Sequence, residues 1–98
     1  MADVSVELPS MLANLVKSER SVDVQAETVG GALEALFAFH PELRVHIYDE
    51  KREIRQHVTC FHNNAIVRDG GMDWPVADGD TVTILQAVSG GSNAFLSI

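Results

Sequence analysis

Apolar and polar residues alternate at the start of the chain. Val4, Val6 and Leu8 are separated by Ser5 and Glu7, the period of two that turns one face of a strand inward. Pro9 ends that strand. Ser10 is placed to cap a short helical turn with Leu12, Leu15 and Val16 at i, i+3 and i+4, a segment expected to act as a structured lid. Residues 17–21 are polar and turn the chain. Val22, Val24 and Ala26 then alternate with Asp23 and Gln25. Two strands joined this briefly are expected to pair antiparallel.

The pattern then changes period. Thr28 is a good N-cap, and Val29, Leu33, Leu36 and Phe37 fall on one helical stripe,. Ala32, Ala35 and Ala38 favour the helix,. Gly30 and Gly31 lie in its first turn, where they let the helix start approach a strand closely. Pro41 stops it near His40,. Leu43, Val45 and Ile47 alternate again, which predicts extended chain before the charged turn at residues 49–52. Ile54 is the apolar anchor on the return.

Val58, Cys60 and His62 alternate with Thr59 and Phe61 as a third strand. Asn63-Asn64 is a turn pair, residues 65–67 a short edge piece, and Asp69-Gly70-Gly71 a second turn,. Trp74-Pro75-Val76 leads to a third turn, Asp78-Gly79-Asp80, and a last strand runs from about Thr81 to Ala87. Strands with one main helix predict an α+β roll with that helix packed on one face of the sheet. No repeat, linker or low-complexity stretch divides the chain.

Composition narrows the function. With 46% hydrophobic and 21% charged residues the chain is expected to be one globular domain,. A net charge of −7 disfavours nucleic acid and anionic membrane as partners,. From Asp69 onward there are four Asp and no Lys or Arg, so a partner docking there is expected to be basic or apolar. One cysteine, no signal-like start and no apolar run of membrane-spanning length suggest the cytoplasm,.

Few residues carry chemistry of their own. Cys60 and His62 share a strand face but do not close a zinc site, and they read as a core thiol and a core-edge histidine. His40, His46, His57 and His62 have no ligand spacing. His40, at the helix end, is placed to interact with the helix dipole. Asp78 and Asp80 flank a glycine and read as turn formers. Trp74 is either a partner hot spot or a core-edge aromatic. Gly30-Gly31 and Gly70-Gly71 lack phosphate-loop spacing.

The hairpin, the helix, Asn63-Asn64, the block from Trp74 to Ile84 and the Val88-Ser89-Gly90-Gly91 end together resemble the ubiquitin-like sulfur carrier proteins. These are the β-grasp carriers of thiamine, molybdopterin and cysteine biosynthesis. The most specific piece is Asp-Gly-Asp-x-Val-x-Ile just before Ala-Val-x-Gly-Gly. The charged segment between helix and third strand is most similar to the cysteine-pathway type. The resemblance covers residues 4–91 and implies a β-grasp roll with a mixed sheet of four to five strands.

It also implies a mechanism. A ubiquitin-activating-type adenylyltransferase uses ATP to adenylate the Gly91 carboxylate, and sulfur displaces AMP to give a thiocarboxylate. A cysteine-synthase-like or similar enzyme then takes the sulfur. The chain is a protein cosubstrate that binds no cofactor. Gly90 and Gly91 lack a Cβ and suit threading through a narrow channel. Two departures stand out. Gly91 is followed by Ser92 and six more residues, so the resemblance implies a carrier of residues 1–91 and a removable extension at 92–98; a tail that packs on the sheet through Phe95, Leu96 and Ile98 is the other reading of that segment. A zinc metalloprotease would cut between Gly91 and Ser92. Gln86 stands where the family often has Pro, a change expected to alter local strand geometry only. The alternatives are a ubiquitin-like module that binds a partner non-covalently and a protein modifier joined through Gly91.

Overall fold

A computed structural model describes residues 1–68 and 71–86. Its five strands are β1 (Ala2–Glu7), β2 (Ser21–Ala26), β3 (Val58–His62), β4 (Ala65–Ile66) and β5 (Thr81–Gln86). They form one sheet in the order β2-β1-β5-β3-β4. β1 pairs antiparallel with β2, as the short connection predicts, with Val4 opposite Val24. β5 lies parallel to β1, Val6 opposite Val82, and antiparallel to β3, Cys60 opposite Ile84. The sheet is therefore mixed, with the last strand, β5, at its centre between β1 and β3.

Three helices accompany it: α1 (Ser10–Leu15), α2 (Val29–Phe39) and α3 (Arg44–Ile47). α2 is the main one. Its Thr28 cap accepts a hydrogen bond from the Gly31 N–H at 3.0 Å,. Val29, Ala32, Leu33, Leu36 and Phe37 are buried along its stripe. They meet Val4, Val6, Val24, Val58, Cys60, Val82 and Ile84 of the sheet in one core. Each fully buried Leu stabilises the fold by roughly 2–3 kcal/mol. Its first turn is held by the 74–76 strap: the Val29 N–H donates to Trp74 O, and the Val76 N–H to Glu27 O, both at 3.0 Å. Gly31 approaches β2, with 3.6 Å between its would-be Cβ and that of Ala26. Gly30 instead faces Met72, in the 3-10 turn Gly71–Asp73.

Two expectations are corrected. Residues 41–47 are helical rather than extended: a 3-10 turn Pro41–Leu43 runs into α3. Leu43 and Ile47, four apart, are fully buried, whereas Val45 is 62% exposed. The same three residues fit both periods, and Pro41 stands at the start of the helical stretch, where its missing N–H costs nothing,. Ser10 is not the cap of α1. Pro9 holds that place, and no side chain caps the helix. Its buried pair is Leu12 and Ala13, with Leu15 turned outward at 49% exposure.

The proposed second turn is described only from Gly71, whose N–H donates to Arg68 O at 2.7 Å. Ala87, the Gly90-Gly91 pair, Ser92 and the proposed division after residue 91 lie outside the described residues.

Candidate functional site

The resemblance puts the reactive group beyond β5, so the geometry that matters is how β5 is held and what surrounds its end. The strand starts from a clamped turn. Gly79 has φ +89, a conformation open to glycine at little cost,. Its N–H donates to Asp3 O at 2.9 Å, and the Asp3 N–H donates to Asp78 Oδ1 at 2.8 Å. Asp80 Oδ2 accepts from the Ala77 N–H at 2.9 Å and lies 2.8 Å from His62 Nε2. The hydrogen bond from His62, then that from Ala77, holds the Asp80 carboxyl below the usual carboxylate range,. On the other side Asn63, at φ +55, donates its N–H to Thr81 O at 2.7 Å. The Asn63 Oδ1 accepts from the Thr81 N–H at 2.9 Å. Asp78, Asp80 and Asn63 are thus turn formers that fix the origin of β5 against both neighbouring strands.

β5 remains paired through Gln86, opposite Val58. Gln86 Oε1 is buried without a hydrogen-bond partner among the described residues. Outward-facing positions make the open face of the sheet. Leu85 and Ile66 are 48% and 40% exposed. Phe61 stands opposite Ile66 and Thr83, and Leu85 opposite Thr59, so Phe61, Ile66 and Leu85 lie on the same outward face across β4, β3 and β5,. Toward the other edge of this face stand Asp3, Glu7 and Asp23. Alternation outward from Cys60 and Ile84 would have found Phe61 and Leu85; only the β3–β4 register adds Ile66.

The remaining candidates separate. Cys60 is buried, and that burial pushes its thiol up to about 12, leaving it protonated and a poor nucleophile,. Its strand neighbour His62 reaches Asp80. Among the described residues no group of three His, Cys, Asp or Glu side chains is placed to hold a metal, and no helix is long and apolar enough to cross a membrane. Trp74 is 38% exposed at the core edge, its ring 6.4 Å from that of His62. His40 donates its backbone N–H to Leu36 O at 2.9 Å and closes the last turn of α2.

The family model described as the ThiS family matches residues 6–91. The chain belongs to the ThiS family. Within it, the chain is 33% identical over 92 residues to the sulfur carrier protein CysO of Mycobacterium tuberculosis, covering 91% of this chain and 99% of that protein. The Amycolatopsis orientalis BexX/CysO complex contains a similar chain: TM-score 0.79, 31% identity, 90% and 99% covered. The small archaeal modifier protein SAMP1 of Haloferax volcanii superposes with TM-score 0.79 at 29% identity, covering 92% of this chain and all of that one. The ThiS family chain thus has the ubiquitin-like β-grasp fold that its sequence implies, and it is of the CysO sulfur-carrier type.

Proposed function

We propose that this ThiS family protein is a sulfur carrier whose Gly91 becomes a C-terminal thiocarboxylate. The observation that carries the reading is the family match running through residue 91, joined to a β5 that is clamped at its start and still paired at Gln86, its last described residue. The partner adenylyltransferase is taken to bind the open face, where Phe61, Leu85 and Ile66 supply apolar area. Binding energy from the platform then serves to orient a reactive end that makes few contacts of its own.

The chemistry is divided between the proteins. Removal of residues 92–98 by a metalloprotease frees the Gly91 carboxylate. A carboxylate oxygen attacks the α-phosphorus of ATP and releases pyrophosphate. A sulfide sulfur, delivered by a donor, adds to the acyl carbon and AMP departs. A cysteine-synthase-like enzyme of the cytoplasm then receives the sulfur. The carrier is a cosubstrate: it contributes the glycyl carbonyl and a docking surface, and ATP stays with the enzyme.

Protein truncated after Gly91, mixed with the activating enzyme, ATP and a sulfur donor, should gain the mass of one oxygen exchanged for sulfur. Full-length protein should not. Equal reaction of the two, or of neither, contradicts the reading. The likeness to SAMP1 favours one second reading, a protein modifier joined through Gly91 to lysines. Lysine-linked conjugates of the truncated chain in cells, without a thiocarboxylate species, would select it.

A further inference from the structure

Cations are scarce in this chain and unevenly placed. Four of its seven Lys and Arg residues, Lys51, Arg52, Arg55 and Arg68, fall between positions 51 and 68, in a protein of net charge −7. Three of them, Arg52, Arg55 and Arg68, line one cavity of about 740 Å³. One carboxylate, Glu53, shares that lining, which leaves it net positive. The apolar part of the wall includes Ile54, Val58, Val67 and Met72, and Ile66, at the edge of the open face, borders it too. Arg55 is oriented by its Nε–H, which donates to Val45 O at 2.6 Å. Asp49, on the adjoining loop and outside the lining, accepts from the backbone N–H groups of Glu53 and Lys51, at 3.0 and 2.8 Å; those bonds, with Arg55 and Lys51 nearby, hold its carboxyl below the usual range and charged. Among the described residues, the arginine paired with a carboxylate is Arg44, with Glu34 at 2.6 Å; Arg52 and Arg55 have none.

We propose that this cavity is a docking site for an acidic peptide segment of a partner protein. Charge complementarity selects the occupant, and size selects a peptide over a small anion. No charged side chain is buried among the described residues, so a lone phosphate would stay in water, where exposed arginines hold it weakly. A peptide with carboxylates and an apolar side chain engages both the arginines and the apolar wall. Position adds a role. Val58 of the wall pairs with Gln86, the last residue of β5. A protein gripping the chain beyond Gln86 therefore has the cavity within reach, and an acidic segment there would help it select this carrier. That role rests on the carrier reading; the binding itself does not.

The test uses the full chain, isotope-labelled for NMR, and a peptide of alternating Glu and Leu as the probe. Expected are shifts of the amides at 52–60 and 66–68, weakened about tenfold or more by Arg52→Glu with Arg68→Glu. Arg52→Gln with Arg68→Gln should weaken them less, and all variants should keep the native melting transition. The proposal is overturned by no shifts at the cavity, by the same shifts with a Lys–Leu peptide, or by the same shifts with inorganic phosphate at equal charge. Shifts that follow protein concentration alone would also overturn it, in favour of a second copy of the chain. No activating enzyme is present, so failure here leaves the thiocarboxylate reading standing, and failure of that reading leaves this result standing.

Discussion

Gly79 and Asp80 secure the origin of β5 by different means. Gly79 does so through backbone shape: at φ +89 a Cβ is strained even though nothing lies within 4 Å of it. Gly79→Ala is expected to cost about 1 kcal/mol in urea unfolding, with the fold retained. Asp80 acts through charge. Its folded pKa lies below its unfolded value. The stabilisation is therefore complete above the unfolded carboxylate range, near pH 4, and is lost as pH falls through the lowered folded value. Asp80→Asn should be less stable than the parent at neutral pH, and the gap should close as both are titrated into acid. A gap that is constant across pH would contradict the linkage. Gln86 gives the opposite sign. Its buried Oε1 has no partner among the described residues, so Gln86→Met should leave the melting temperature unchanged or raise it.

α2 carries the core, and its energetics should show it. Leu36 is fully buried, and Leu36→Ala should destabilise by about 2–5 kcal/mol in chemical denaturation. On the open face, Leu85→Glu with Ile66→Glu should slow adenylation by the activating enzyme while barely moving the melting temperature, because both residues are about half exposed. Equal loss in both measurements would make the patch structural. The strands β1, β2, β3 and β5 and the helix α2 were legible because each sustains one period over several residues. Residues 43–47 were not. Leu43, Val45 and Ile47 satisfy period two, while Leu43 and Ile47 also satisfy a helical turn, and so short a window cannot separate them. The Pro9 start of α1 was hidden by Ser10, a better cap by composition than by position. The parallel β1–β5 pairing is not written locally, since Val6 and Val82 meet only in the fold. The family resemblance gave a mixed sheet, without saying which strands run parallel. The arginine cavity was invisible for the same reason: Arg52, Arg55 and Arg68 are gathered by the loop and by β4, not by spacing.

At the scale of the whole molecule, charge and apolar area are sorted around the departure of the tail. Asp3, Glu7 and Asp23 lie on the β1–β2 side of the open face, and the arginine cavity lies on the β3–β4 side. Between them, β5 carries Leu85 toward the chain beyond Gln86. That arrangement suits a platform that is recognised at several points and reacts at one. On the proposed reading Gly91 is that point, and it becomes available only when Ser92 and the residues after it are gone. The direct measurement is the intact mass of full-length protein produced together with its activating enzyme, sulfur donor and metalloprotease. Expected is a species ending at Gly91 with one carboxylate oxygen replaced by sulfur, lost in Gly91→Ala. Persistence of the full-length chain alone, or sulfur gained without cleavage, would contradict it.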